Sequence, residues 1–405
     1  MDSKATFRQV LAVGELRAIW FAELQSILGD QVARVALSVL VFERTRSATW
    51  PALTYALTYL PDLIGGPLLG GLADRFPRRT VMVCSDVVRA ILVAVLAIPG
   101  IPLPALAVVL VVVQLANAPF TAAQAAVLPS VLAGDQYVLG QSLLKITNQI
   151  GQLAGFALGG AVIAAVGTGR GLALDAVTFG ISAVVLRLGV RARPVSGADA
   201  ASRPTSTLRR LSAGARTIWR DRRLRALVGL AWLAGFVIVP EGLAVPYAAE
   251  IGGGAVTAGL LLAAHPAGIV LGVFVLGRLV RPEMRLRLVG ILALGAILPL
   301  VAFWFRPPLP YAAALLVLSG MCAAYQVTAS TTFMRLVPDT ERGQAFGLAG
   351  SGLIAVQGIG LVAGGLLVGV LGSPATTVSV IALAGLVVAV PATRAWRQVA
   401  PLHPL

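Results

Sequence analysis

Gly70-Gly71-Leu72-Ala73-Asp74-Arg75-Phe76-Pro77-Arg78-Arg79 decides how this chain is read. The stretch lies between two long apolar runs and holds one acid and three arginines in its last six residues. A glycine pair ending one apolar run, then Asp-Arg, then Arg-Arg opening the next, reads as a short charged turn at a membrane face. The rest of the sequence agrees. It has 405 residues, 58% hydrophobic and only 12% charged, with mean hydropathy +0.88. A soluble chain would be about 45–50% apolar and roughly a quarter charged. Many runs reach the ~20 residues that a helix needs to cross a bilayer. Backbone groups in lipid must be satisfied internally, so these runs are predicted to be helices.

Twelve spans are expected, at roughly 16–43, 50–73, 80–99, 103–127, 138–166, 171–190, 226–249, 256–278, 286–305, 309–334, 343–371 and 374–393. The net charge of +15 does not point to nucleic acid, because the arginines interleave with the spans. With the N-terminus in the cytoplasm, 25 of the 32 Lys and Arg fall on the inner side, and Arg44, Arg46, Arg170 and Arg306 fall outside. That asymmetry places both termini inside. The start, Met1-Asp2-Ser3-Lys4, lacks a signal-peptide pattern, so the first run is expected to stay as a span. Cys84 and Cys322 are isolated in different halves and suggest neither disulfide nor metal site. Thirty arginines against two lysines fit a GC-rich bacterial genome and a bacterial cytoplasmic membrane.

The expected division is a first six-helix bundle over 1–190, a linker over 191–225, and a second bundle with a short cytoplasmic tail over 226–405. Pro194 to Thr207 is rich in Pro, Ser and Ala. Leu208, Leu211, Ala215, Ile218 and Trp219 then recur at helical spacing among Arg209, Arg210, Arg216, Arg220, Arg222 and Arg223. The pattern suits either a helix on the inner membrane face, arginines toward anionic headgroups, or a solvated linker. The halves also repeat. Gln152-x-x-Gly155-x-x-x-Gly159-Gly160 recurs as Gln357-x-x-Gly360-x-x-x-Gly364-Gly365, and Gly277-Arg278-Leu279-Val280-Arg281-Pro282-Glu283 echoes the charged turn. Small residues every fourth position let helix backbones approach closely.

The charged turn resembles the signature loop between helices 2 and 3 of the major facilitator superfamily, Gly-x-x-x-Asp-Arg-x-Gly-Arg-Arg. Gly70, Asp74, Arg75, Arg78 and Arg79 match, and Pro77 stands at the pattern's glycine. Leu28-Gly29-Asp30, Ser85-Asp86-x-x-Arg89-Ala90, Leu174-Asp175-Ala176 and Val337-Pro338-Asp339-x-x-Arg342-Gly343 are similar to the bacterial group of enterobactin exporters and related drug efflux proteins. Span 4 lacks the arginine of many proton-coupled drug antiporters, and Gly155-Phe156 stands where their span 5 has Gly-Pro. The resemblance implies an all-α membrane protein of two pseudo-symmetric six-helix bundles around a cavity that opens alternately to either side. It also implies that Asp74 caps the start of helix 11 as a conformational latch, with Asp86 and Arg89 bracing the turn.

A charge at mid-bilayer costs about 2.5–3.5 kcal/mol on insertion scales, so intramembrane acids are functional candidates. Glu23, Asp30 and Arg34 share one face of span 1. Asp30 and Arg34, one turn apart, are expected to pair, leaving Glu23 freer to change protonation. Glu241 beside Pro240, and Asp62 after Pro61, are further proton-coupling candidates. His265 is either a packed helix residue or a titratable group if wet. Gln114, Asn117, Lys145, Asn148, Gln149, Gln152, Gln326 and Gln357 are the candidates for lining a substrate cavity. Lys145 either snorkels to the interface or faces an anionic substrate. The absence of a phosphate-binding Gly-Lys-Ser/Thr loop argues against ATP drive, and no metal-spaced cluster or nucleophile motif suggests an enzyme or a cofactor.

The expected function is secondary export of a small amphipathic compound in exchange for protons. Uptake, lipid or metabolite transport with another coupling ion, and a transport-inactive receptor remain open. Expected partners are a small-molecule substrate, protons and the lipid bilayer, with no nucleic acid, and a monomer is compatible with this reading. The topology makes a direct prediction. A reporter fused to the C-terminus is active in the cytoplasm, and an impermeant thiol reagent applied outside does not label a cysteine introduced at Arg78 or Arg285. Labelling from outside would refute the inside placement.

Overall fold

The computed structural model describes residues 6–193, 207–339 and 341–399, and these form helices joined by short turns. The expected linker residues 194–206 lie outside the described residues. The helices are α1 (Phe7–Ala12), α2 (Gly14–Thr45), α3 (Thr49–Ala56), α4 (Leu60–Leu69), α5 (Leu72–Arg75), α6 (Arg78–Leu96), α7 (Leu103–Val131), α8 (Asp135–Val166) and α9 (Thr168–Gly189). After the linker come α10 (Thr207–Arg220), α11 (Arg222–Trp232), α12 (Ala234–Val237), α13 (Val239–Gly242), α14 (Ala244–Glu250), α15 (Ala255–Leu279) and α16 (Pro282–Val301). The last four are α17 (Leu309–Ala323), α18 (Tyr325–Leu336), α19 (Arg342–Leu371) and α20 (Pro374–Val399).

Among the described residues, ten helical segments are long and apolar enough to cross a membrane. The expected spans at 50–73 and 80–99 are not among them. The first is broken into α3, α4 and α5. Leu57–Tyr59 make turns, Pro61 sits in the first turn of α4 where its missing N–H costs least, and Gly70-Gly71 interrupt the helix before α5. The second, α6, has 19 residues but carries Arg78, Arg79, Asp86 and Arg89. The expected span 226–249 is likewise divided into α11 to α14 around Pro240 and Pro246.

Burial runs opposite to that of a water-soluble protein. Asp86 is 0%, Asp175 1% and Arg89 4% exposed, whereas Leu188 is 81% and Val370 82% exposed. Polar groups inside and large apolar groups outside are what a lipid solvent selects.

The chain divides into two compact units, one of residues 1–40 and 60–203 and the other of 41–59 and 204–405. In the first, α6 packs along α7 and α9, and α4 along α7. The glycine row of α8 presses on α2: a Cβ on Gly155 would come within 2.8 Å of the Gln31 side chain, and one on Gly159 within 3.2 Å of the Val32 backbone. The second unit repeats this device. Gly360 of α19 abuts the Gly235 backbone of α12, Gly364 meets Val239 of α13, and Gly365 meets Ala52 of α3. The recurring Gln-x-x-Gly-x-x-x-Gly-Gly motif is therefore a contact surface in both units. Also in the second unit, α10 docks on the start of α19: Gly214 and Ile218 are buried, Thr217 Oγ1 donates to Glu341 Oε2 at 2.6 Å, and Arg216, Trp219 and Arg220 are exposed.

α15 and α17 interlock through glycines on both helices. A Cβ on Gly268 would overlap the Val317 carbonyl, and one on Gly320 the His265 carbonyl. Overpacking of this kind costs about 1–3 kcal/mol. Gly268→Val or Gly320→Val is expected to lower the Tm of the detergent-solubilised protein by several degrees, while Gly277→Val, with open space around it, leaves it unchanged. Equal Tm values would contradict the interlock.

Candidate functional site

In the first unit the charged residues of α2 meet partners from three other helices. Asp30 has a partner on another helix: the Arg89 guanidinium of α6 donates to both its carboxylate oxygens at 3.3 Å. The same guanidinium lies 3.6 Å from Asp86 and 3.9 Å above the centre of the Phe179 ring of α9. Ser182, also on α9, donates to the other Asp86 oxygen at 2.5 Å. Arg89 and Asp86, expected to brace the charged turn, are thus buried in a network that joins α2, α6 and α9. The reason is reach: one turn of helix separates them, and both face Ser182 and Phe179 across a tight α6–α9 contact.

Asp175 was quoted from the sequence only as part of a pattern. It is fully buried, takes Thr178 Oγ1 at 3.2 Å, and lies within electrostatic range of Asp30, Arg89 and Arg34. Gly29 lets α2 come close to it, since a Cβ there would strike Asp175 and Thr178. Asp62 is half-buried and in range of Arg34 and Arg89. The cluster therefore sets four carboxylates, Asp30, Asp62, Asp86 and Asp175, around two guanidiniums, Arg34 and Arg89. If every acid were ionised it would hold surplus negative charge in a low-dielectric interior. Glu23, two turns along α2, accepts from Gln124 Nε2 of α7 at 2.6 Å.

The cavity candidates are spread along their helices. Gln114, Asn117, Gln149, Gln152 and Gln357 are half-buried, and Lys145 and Asn148 are exposed. Between the latter two, Thr147 is buried and accepts from Trp20 Nε1 at 2.7 Å. In the second unit Gln326 lines a recess with Leu227, Phe333, Phe346 and Leu353. One amide among aliphatic and aromatic walls suits an amphipathic molecule.

Glu241 of the same unit accepts the Tyr55 hydroxyl at 2.9 Å and lies 3.7 Å from His265 Nδ1. The sequence held Glu241 and His265 as separate candidates; the fold brings them together. At the charged turn, Gly70 follows the break in span 2, and Asp74 and Arg75 are exposed. Arg78 donates to the Ala126 carbonyl at 2.9 Å, and Arg79 to the Arg187 and Val190 carbonyls at 3.4 Å. Two of the three arginines therefore satisfy carbonyls near helix ends. Arg285 does the same for Gly277 and Val280, both at 2.8 Å, in the echoing turn.

Removing Arg89 would leave the buried Asp86 and the half-buried Asp30 without that partner, and breaking a buried pair typically costs about 3–5 kcal/mol. Arg89→Ala is expected to reduce the Tm and the membrane yield strongly, and Arg89→Ala combined with Asp86→Asn to recover part of the loss. A single variant as stable as the parent would contradict the network.

A model described as Major Facilitator Superfamily matches residues 19–315 and 241–404. The multidrug efflux pump Tap of Mycobacterium tuberculosis is 30% identical over 226 residues, 52% of each chain, so that match spans about half the relative's length. The macrolide efflux protein A of Streptococcus pyogenes is 22% identical, over 85% of this chain and 87% of its own. Among solved structures, a variant of the nucleoside transporter NupG superposes with a TM-score of 0.73 at 15% identity, covering 95% of this chain and 99% of its own, a likeness of fold alone.

Proposed function

The chain belongs to the Major Facilitator Superfamily and is a secondary transporter, and from that premise we propose that it exports a small amphipathic compound of the drug or macrolide kind in exchange for protons. The observation that carries the proton part is the excess of carboxylates over guanidiniums along α2 and its neighbours in the first unit, with Asp86 and Asp175 buried and Glu23, Asp30 and Asp62 half-buried. A cluster with more carboxylates than guanidiniums can keep its charge balanced by holding a proton, and can release it when the helices shift or a cationic substrate arrives. Asp30 is held by Arg89, whereas Glu23 stands two turns away along α2 with the neutral Gln124 amide as its described partner, and on that ground it is the acid assigned to the exchange. The substrate part is supported by the efflux relatives and by the apolar recess with its single amide at Gln326. In this reading both termini lie in the cytoplasm, six spans form each repeat, and the charged turn Asp74–Arg79 acts as the latch of the inner face.

The test is efflux from proteoliposomes under an imposed pH gradient, with erythromycin and ethidium as probes. The parent protein moves at least one probe against its concentration gradient only when the pH gradient is present. Glu23→Gln loses gradient-driven movement and keeps probe binding. Gradient-driven efflux at the parent rate in Glu23→Gln would remove this acid from the mechanism.

A further inference from the structure

The second unit holds an acid–imidazole pair that the export reading does not use. Glu241 projects from α13, a single turn interposed in a helix that breaks repeatedly between α11 and α14. His265 projects from α15 just before Pro266. Their side chains are 10% and 12% exposed, and Glu241 Oε1 lies 3.7 Å from His265 Nδ1. Tyr55 of α3, itself 2% exposed, donates to the other carboxylate oxygen at 2.9 Å. The far nitrogen of the ring, Nε2, is buried and makes no hydrogen bond among the described residues.

The surroundings place other titratable groups toward helix ends. On the helices packed against α13, α3 adds none besides Tyr55, and α12 has none. α14 has Tyr247, which donates to the Pro307 carbonyl at 2.6 Å, and Glu250, which is held by Ser373, the Ala375 N–H and Arg306. α19 has Arg342, about 28 Å along the helix from Leu361, the residue beside Gly242. α20 has Arg394 and Arg397 in its last two turns. Against His265, α15 itself has Arg278, about 20 Å away along the helix, and α17 has Tyr311 and Cys322.

We propose that Glu241, His265 and Tyr55 form a one-proton binding site in the second unit, distinct from the acids of the first. With one carboxylate and one imidazole in contact, the pair takes up a single proton from water. The new bond is an O–H on Glu241 or an N–H on His265, and the charge of the pair goes from minus one to zero. Tyr55 supplies a hydrogen bond to the carboxylate oxygen turned away from the ring, so the shared proton stays on the side facing His265. Nε2 makes no hydrogen bond among the described residues, so the carboxylate addresses the ring from its Nδ1 side, 3.7 Å away. The breaks in the helix around Pro240 let α13 shift without unravelling a continuous hydrogen-bond ladder, so occupancy of the site can be linked to movement there. The existence of the site does not depend on the export reading; its part in transport does.

Infrared difference spectroscopy of the purified parent protein between alkaline and acid pH tests the site without any substrate. The expected result is a buried carboxylic-acid carbonyl band that titrates, that Glu241→Gln removes, and whose frequency Tyr55→Phe shifts. His265→Gln serves as the second variant and is expected to move the band's midpoint by about one pH unit or more. An unchanged spectrum in both Glu241→Gln and His265→Gln would overturn the site. A titrating band in a parent protein that moves neither erythromycin nor ethidium under a pH gradient would leave the site standing and sink the export reading. A titrating band with full gradient-driven efflux in Glu241→Gln would overturn its role in transport.

Discussion

A guanidinium removed from water inside a lipid-solvated bundle has to be matched by anions, and Arg89 is where this molecule meets that demand. The cost of burying it is offset only by good geometry, which is why two carboxylates and an aromatic face converge on one residue and a hydroxyl holds one of those carboxylates from behind. The consequence is mechanical as well as electrostatic. α2, α6 and α9 come from distant parts of the first unit, and each contributes at least one group that is useful only with the others in place. The consequence is also chemical: once Arg89 has drawn in Asp30 and Asp86, the further acids Asp62 and Asp175 leave the cluster richer in carboxylates than in cations.

Around that polar centre the packing relies on small residues. Lipid gives helices no hydrophobic reason to associate, so close backbone approach and dispersion do the work. The glycine row of α8 against α2 and that of α19 against α12, α13 and α3 are two uses of one solution. In each unit the row seats a helix that carries a candidate acid, Glu23 and Asp30 on α2 and Glu241 on α13. Glycines here set how near the functional helix lies to its neighbours, and so which polar groups it can reach.

Much of this could be read in the sequence, for physical reasons. Membrane helices are written in composition and length, and the charged turn in the positions of Asp74, Arg75, Arg78 and Arg79. The Gln-x-x-Gly-x-x-x-Gly-Gly repeat was visible because it is local. The breaks in the second and seventh expected spans were harder, because proline and glycine are ordinary in membrane helices and do not alone say where one stops. The partners of the buried groups were hidden for a different reason. Asp30 and Arg89 are 59 residues apart, Asp86 and Ser182 are 96 apart, and Glu23 and Gln124 are 101 apart. Periodicity along one helix gave Arg34 as the neighbour of Asp30; only the packing of α2 on α6 reveals Arg89. Tyr55 with Glu241 and His265 had the same obscurity, since nothing in a lone histidine before a proline points to an acid on another helix.

The most direct measurement is the proton flux that a substrate gradient drives when no pH difference is imposed. Proteoliposomes loaded with erythromycin or ethidium and a trapped pH dye are diluted into probe-free buffer. If buried acids carry protons against the substrate, the lumen acidifies as the probe leaves, and the change disappears with the probe gradient. Probe leaving through the protein at constant internal pH, with counter-ions clamped, would mean that these acids are structural and that transport runs without them.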